Sequence, residues 1–514
     1  DRYEVISGLA PGDQVVVRGV VDEVFGETQL AQDDIRIVSS GNDLPTAATV
    51  LLSAASQDFE AIEGMRMTLD SGVEGESITV IENFNLDRFG EITVSAGIQT
   101  PPTQLFDAQT EATEVAALAE ENANNRLIID DGVSAQNPDE FQYVPNTSPG
   151  DNGNGFLDAS DTFTEAGPTL RLGAEVDGPT TGVMTFGFGE FRMLVDGTLN
   201  IDESTNSGAR EDTPPDVGGN VQVASVNVLN YFTTLRGEGS VGPNELSPRG
   251  AGSEADLQRQ TDKLVDALTG TGAEVFALQE IENGGFAEGS AIDALVDAMN
   301  VEAATTASGA DYAFVDPTAD GGFIGTDAIT TGIIYDANAV SLVGSDFLVF
   351  EESSAAVTFA LADVLNAVVP TDDQVGDFQR NRPAVAATFE DNETGETFTI
   401  VSNHFKSKGP SGLDGLVEAA QEYLDGGGTD ITQADIDALI NDPNYDQGDG
   451  QAFWNQVRAD ASAEVQTWIE NDYLGEGVTN FIIMGDLNAY AQEDPVQTLT
   501  DDPGLHRVYL RVGG

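Results

Sequence analysis

Cysteine is absent from all 514 residues, which excludes disulfides and thiolate metal sites but leaves secretion open. Lysine is almost absent, since Lys263, Lys406 and Lys408 are the whole complement, and His404 and His506 are the only histidines. No run of about 18 apolar residues occurs, so nothing is expected to span a membrane. A broad basic face is excluded too, because 89 acidic residues stand against 20 basic ones, a net charge of -69. Such a chain repels itself in dilute buffer and relies on counterions to stay compact. The acid is spread through well-patterned segments rather than gathered in a tail. That argues against disorder and for a solvating surface suited to concentrated salt, with an acidic secreted protein as the plainer alternative. The opening, DRYEVISGLAPGD, lacks the basic-then-apolar order of a signal peptide and starts in strand-like chemistry, so residues upstream are expected.

With 40% hydrophobic residues, a chain of this length predicts two or three globular domains. Residues 1–200 read as β-rich. Runs at Gln14–Val21, Ser77–Ile81 and Gly90–Val94 alternate with Gly/Asp/Asn turns, 169–195 reads as a meander, and Thr110–Asn122 reads as a short helix. Two OB-like modules are expected, over 1–100 and 101–200, followed by a polar linker over 201–219. From 220 onward strands and helices alternate. Strands are expected at Val221–Phe232, Glu274–Gln279, Ile329–Tyr335, Thr397–Asn403 and Asn480–Met484. Helices are expected after a Ser253 cap through Leu257, Leu264 and Leu268, at Ser290–Asn300 and at Asn455–Tyr473. The expected class is thus α+β multidomain, with an α/β domain over 220–514.

Polar residues stand where these strands stop: Asn227 and Asn230, Gln279-Glu280, Asn403-His404, and Asp486 with Asn488. Strand ends in α/β sheets open onto the ligand crevice, so the set would converge several polar groups on one place. Two of the three lysines, Lys406 and Lys408, lie within four residues of His404, and Arg380 and Arg382 add guanidinium forks. In a chain that otherwise avoids lysine, this reads as a phosphate site. A buried core histidine and a turn-forming Asp-Leu-Asn are the structural alternatives.

The segments VASVNVLNYF (223–232), LQEIEN (278–283), RNRPA (380–384), NHFKSKG (403–409) and MGDLNAYAQEDP (484–495) occur in this order. Together they resemble the endonuclease/exonuclease/phosphatase superfamily. Within it they look most like the ExeM/NucH-like extracellular nucleases, whose catalytic domain is DNase I-like, and DQGDGQAFWN (446–455) is similar to the same subgroup. The resemblance implies a DNase I-like sandwich of two mixed sheets flanked by helices, preceded by β modules. It implies a secreted, metal-dependent, sugar-nonspecific endonuclease acting on DNA or RNA, with no membrane or protein partner. Glu280 would hold Mg²⁺ or Mn²⁺ with Asn227 beside it, and Asn230 is a structural neighbour. Asp486 would orient or deprotonate water, Asn488 would donate to a phosphate oxygen, and His404 would bind phosphate or deliver a proton. Lys406, Lys408, Arg380 and Arg382 would face phosphate. The family's closing strands, with an Asp-His pair, have no counterpart before Gly514, so the domain is expected to lack its end; DDPGLHRVYLRVGG does not match it. Two cysteines of the subgroup are missing, with Ala452 at one position. A phosphodiesterase acting on lipid or small phosphoesters, and a nucleic-acid-binding homologue without turnover, are the rival readings.

One motif stands apart. In GDNGNGFLDASD (150–161), Asn152, Asn154, Asp158 and Asp161 fall at the offsets of a Ca²⁺ loop, but Gly150 occupies the first ligand position. Structural calcium and a plain Asn/Gly/Asp turn are both open.

Overall fold

A computed structural model describes residues 9–53, 58–133, 135–146, 150–158, 160–161, 170–206, 214, 217–369, 375, 380–471 and 480–500. His506 and the rest of the closing segment lie outside the described residues, as do 207–213 and 215–216 of the expected linker. The chain divides into two compact units, one of 1–100 with 116–211 and one of 101–115 with 212–510.

The first unit is β-rich, as its alternating runs predict. Strands β1 (Gln14–Val24) and β2 (Glu27–Ser39) form an antiparallel hairpin. Its two turn residues, Phe25 and Gly26, have φ of 55° and 84°, the left-handed pair that a type I′ turn requires. The other strands are β3 (Ala48–Leu51), β4 (Arg66–Asp70), β5 (Ile78–Glu82), β6 (Ile92–Ala96), β7 (Leu127–Asp130), β8 (Glu140–Pro145), β9 (Phe156–Asp158), β10 (Glu175–Val176), β11 (Thr180–Gly187) and β12 (Glu190–Val195). Eight of these make one sheet in the order β10-β5-β6-β7-β12-β11-β4-β3, and β8 pairs with β9. This corrects the expectation of two OB-like modules meeting at residue 100. The sheet interleaves strands from both halves of the region, around a core that includes Val80, Ile92, Ile129, Met184 and Met193. The start of the expected linker is also ordered, because Glu203–Asn206 is helical and Ile201 bridges Val176.

In the second unit two four-stranded sheets pack face to face. The first has the order β13 (Val223–Tyr231), β14 (Val275–Glu282), β16 (Ile329–Asp336), β15 (Tyr312–Phe314). The second runs β17 (Val340–Leu348), β18 (Arg382–Asp391), β19 (Thr397–His404), β20 (Phe481–Asp486). Alternation along β18 explains the layering. Val385, Ala387 and Phe389 join the core against β14 and β16, while Ala384 and Ala386 turn to Ala461, Val465 and Ile469 of the helix Asn455–Glu470. Helices Glu254–Gly270 and Ala291–Thr306 cover the outer face of the first sheet through Val265, Leu268, Leu295 and Met299. Ser253 caps the first of these by accepting from the Asp256 amide, and Ser290 caps the second from Asp293. The result is helix, sheet, sheet, helix, a mixed α/β sandwich consistent with the DNase I-like class.

Candidate active site

The site is built where β19 and β20 end and where β13 and β14 break register. β13 and β14 run parallel with Asn227 opposite Gln279, and β19 and β20 run parallel with His404 opposite Asp486. Both strands of the first pair lose register here, between Asn227 and Tyr231 and between Leu278 and Ile281. Leu229, Asn230 and Glu280 take φ of 51°, 51° and 65°, and Asn488 beyond β20 takes 48°. Non-glycine residues in this region each cost about 1–3 kcal/mol, and such strain collects at functional sites. Here the irregularity aims Glu280 outward while its neighbour Gln279 stays buried and bonds to Ser402 Oγ at 3.2 Å.

Asn227 holds the centre. Its Nδ2 donates to Glu280 Oε1 at 3.1 Å and to Asp486 Oδ2 at 3.2 Å, so two carboxylates face one amide. Its Oδ1 accepts from the Leu229 amide at 3.0 Å, which fixes the amide with nitrogen toward the carboxylates. Asn227 thus presents its amide nitrogen to both carboxylates. Asn230, as expected, is a structural neighbour, donating its backbone N–H to Glu280 Oε2 at 3.0 Å. His404 is buried with Nε2 3.9 Å from Asp486 Oδ2, and its Nδ1 has no hydrogen-bond partner among the described residues. Burial, and then the charge of Arg382, lower its pKa to about 4 against the opposing pull of Asp486 and Asp327. The imidazole is therefore neutral at pH 7. Asn488 donates from its backbone to Asp486 Oδ1 and from Nδ2 to the Phe405 carbonyl, both at 3.0 Å, tying the loop after β20 to the end of β19.

The four expected phosphate-facing cations divide. Arg382 lies beside the site, with Nε 2.9 Å from Asp327 Oδ2. Lys406 is buried close by, donating to Ser407 Oγ at 2.8 Å, and burial with Arg380, Arg382 and Arg458 nearby lowers its pKa to about 7. Arg380 is only 2% exposed and stacks on Trp454 and Phe359 at 4.2 and 4.8 Å, so its fork faces aromatic rings rather than a phosphate. Lys408 pairs at 2.5 Å with buried Glu493, so its charge is compensated.

Two contributors, Asp327 and Arg249, carried no motif, and a third, Glu282, lay within LQEIEN without being singled out. Asp327 bridges Arg382 and Arg249, the latter at 2.6 Å and still half-exposed, and both guanidiniums act on His404. Glu282 clamps the loop after β13 by accepting from the Thr233 and Thr234 amides. A polar residue just before a strand was the only available signal for Asp327.

Glu280 and Asp486 supply hard oxygen donors around one point and, apart from His404 near Asp486, no charged partner is paired with either among the described residues. Two carboxylates suit Mg²⁺ or Mn²⁺, which keep several waters and take further oxygens from a phosphate. Among the described residues no three His, Cys, Asp or Glu side chains converge as a metal site. In the first unit, the 150–161 loop bonds within itself. Asn152 Nδ2 donates to Asp158 Oδ2 at 2.6 Å, Asn154 Nδ2 donates to the same oxygen, and Asp161 accepts from the Asn152 and Asp158 amides. That is the geometry of an Asn/Asp turn.

No family model matches the chain, and no curated protein matches it. Solved structures that resemble it include endonuclease/exonuclease/phosphatase proteins. One from Bacteroides vulgatus is 13% identical, covering 55% of this chain and 71% of that one, with a TM-score of 0.29. A mannosyl-6-phosphatase of Bacteroides thetaiotaomicron is 14% identical over 55% and 70% of the two chains, with a TM-score of 0.29. TDP2 of D. rerio, complexed with a single-strand DNA product, is 15% identical over 45% and 55%, at 0.22. At these TM-scores the likeness carries no functional conclusion, and the chemistry is read from the residues of this chain.

Proposed function

We propose that this chain is a phosphodiesterase that cleaves polynucleotide, DNA first and RNA second, outside the cell and in concentrated salt. The observation that supports the reading is the meeting of Asn227, Glu280, His404 and Asp486 from four strands. Glu280 and Asp486 would hold a Mg²⁺ or Mn²⁺ ion, which supplies neutralising charge to phosphoryl oxygens. Asp486 accepts a proton from the attacking water, and Asn227 Nδ2 holds that carboxylate in place. Neutral His404 offers its Nε2–H as a hydrogen-bond donor to a phosphoryl oxygen and keeps that proton. Arg382 adds positive charge beside the site, with Asp327 keeping it oriented, and Lys406 adds charge that it loses as pH rises through about 7. With a net charge of -69, polyanion binding rests on this small cationic pocket, with salt screening the rest.

The test is cleavage of plasmid, RNA and a small phosphodiester with Mg²⁺, Mn²⁺, Ca²⁺ or chelator, in dilute and molar NaCl. Nicking that needs a divalent ion, persists in molar salt and is lost in His404→Ala is expected. A folded chain that turns over the small diester but no polynucleotide would overturn the substrate assignment. No turnover of anything would overturn the enzyme reading.

A further inference from the structure

The loop after Asn488 carries a feature that hydrolysis itself does not use. Tyr490, two residues on, leaves 40% of its surface exposed. An exposed tyrosine is ordinary; a fixed one is not. Lys408 Nζ sits 4.2 Å from the centre of the ring, and buried Glu493 holds that ammonium at 2.5 Å. Glu493 also accepts from Thr103 Oγ1 at 2.7 Å and donates its backbone N–H to the Tyr490 carbonyl at 3.1 Å. The Ala491 and Gln492 amides donate to Gln104 Oε1 and the Thr103 carbonyl at 3.3 and 3.0 Å. Lys408 and residues 491–493 are thus tied down while Tyr490 itself meets solvent. Two residues of chain span at most about 7 Å, so Tyr490 stays close to Asn488.

We infer that Tyr490, backed by Lys408, is the stacking platform for a nucleobase next to the scissile phosphate. The inference rests on the polynucleotide reading above and gives it a source of affinity that salt does not screen. Phosphate contacts weaken steeply as salt rises, and a chain with 89 acidic residues has few cations to offer. Stacking requires only the π-face that every base carries, so it tolerates any sequence. The ammonium on one side draws electron density from the ring, which favours an electron-rich base on the other.

The experiment measures binding of the full chain to a labelled single-stranded oligodeoxynucleotide and to an abasic strand of equal length. Fluorescence anisotropy in chelator at 0.1 and 1 M NaCl, with KM and kcat measured separately in Mg²⁺, keeps binding independent of turnover. Tyr490→Ala is expected to weaken the base-bearing strand about 5- to 150-fold in both salts, with kcat unchanged, and to leave the abasic strand unaffected. Tyr490→Phe is expected to bind as wild type, which also controls for folding. Equal weakening of both strands, or a Phe variant as weak as Ala, would overturn the platform. If the wild type binds the base-bearing strand no better than the abasic one, the platform also fails. Stacking that survives without hydrolysis would refute only the enzyme reading on which the inference was built.

Discussion

Gly485 is the residue on which the His404–Asp486 geometry depends, and Gly485→Ala tests it. A Cβ at this position would lie 2.0 Å from the Asn403 carbonyl oxygen and 2.7 Å from the Asn403 nitrogen, and φ is +131°. Both obstacles are backbone, so no rotamer relieves them. Reaching an ordinary contact needs β19 and β20 to part by more than about 1 Å, on top of about 1–3 kcal/mol for the backbone conformation. Asn403 and Gly485 are paired in register, and the next pair along is His404 with Asp486. The displacement is therefore delivered directly to the two candidate catalytic groups. A misplacement of about 1 Å costs on the order of 100-fold in rate. We expect Gly485→Ala to lose at least about 3 kcal/mol in urea denaturation and about 100-fold in kcat. Gly415→Ala is the control, because its Cβ meets nothing within 4 Å and the residue lies inside the helix Leu413–Asp425. That change should be neutral or gain up to about 1 kcal/mol. A Gly485→Ala enzyme with wild-type stability and turnover would refute the claim that this strand pair holds the site.

Arg380→Met should lower stability by about 2–4 kcal/mol, because a buried guanidinium leaves Trp454 and Phe359, while KM for polynucleotide stays unchanged. A raised KM at full stability would return Arg380 to the phosphate-binding group. For Lys406, the folded pKa of about 7 lies below the ordinary 10.5, so between those values the unfolded chain holds the extra proton. Stability from this group therefore rises with pH across that window and is lowest below pH 7. Lys406→Met should flatten the slope and gain stability below pH 7, read as urea midpoints across the pH range; a slope that survives the change would belong to another group.

Much of the site was legible because its residues end strands whose apolar runs are unmistakable. Asn227, Glu280, His404 and Asp486 were each visible as the polar stop of such a run, and the structure brings them together. Arg380 was misread for a physical reason. It stands just before β18, and its partners Phe359 and Trp454 come from chain 21 residues upstream and 74 downstream, beyond any local pattern. Asp327 and Arg249 are joined only by the fold. In the first unit the strand runs were readable but not their pairing. β5 bonds to β10 almost a hundred residues later, and alternation says which face is buried without saying which neighbour is bonded.

The second unit is not one stretch of chain. Residues 101–115 belong to it, although they are encoded within the first unit, and Thr103 among them anchors the loop that bears Tyr490. The two units are therefore not interchangeable cassettes. A recombination event that joined residues 212–510 to a different leading unit would deliver the strands of the candidate site intact but leave Glu493 without its Thr103 donor and the 490–493 loop without its anchor. Inheritance of this site depends on keeping the pair together, and variation at 101–115 should follow the second unit rather than the β-rich one that surrounds it in sequence.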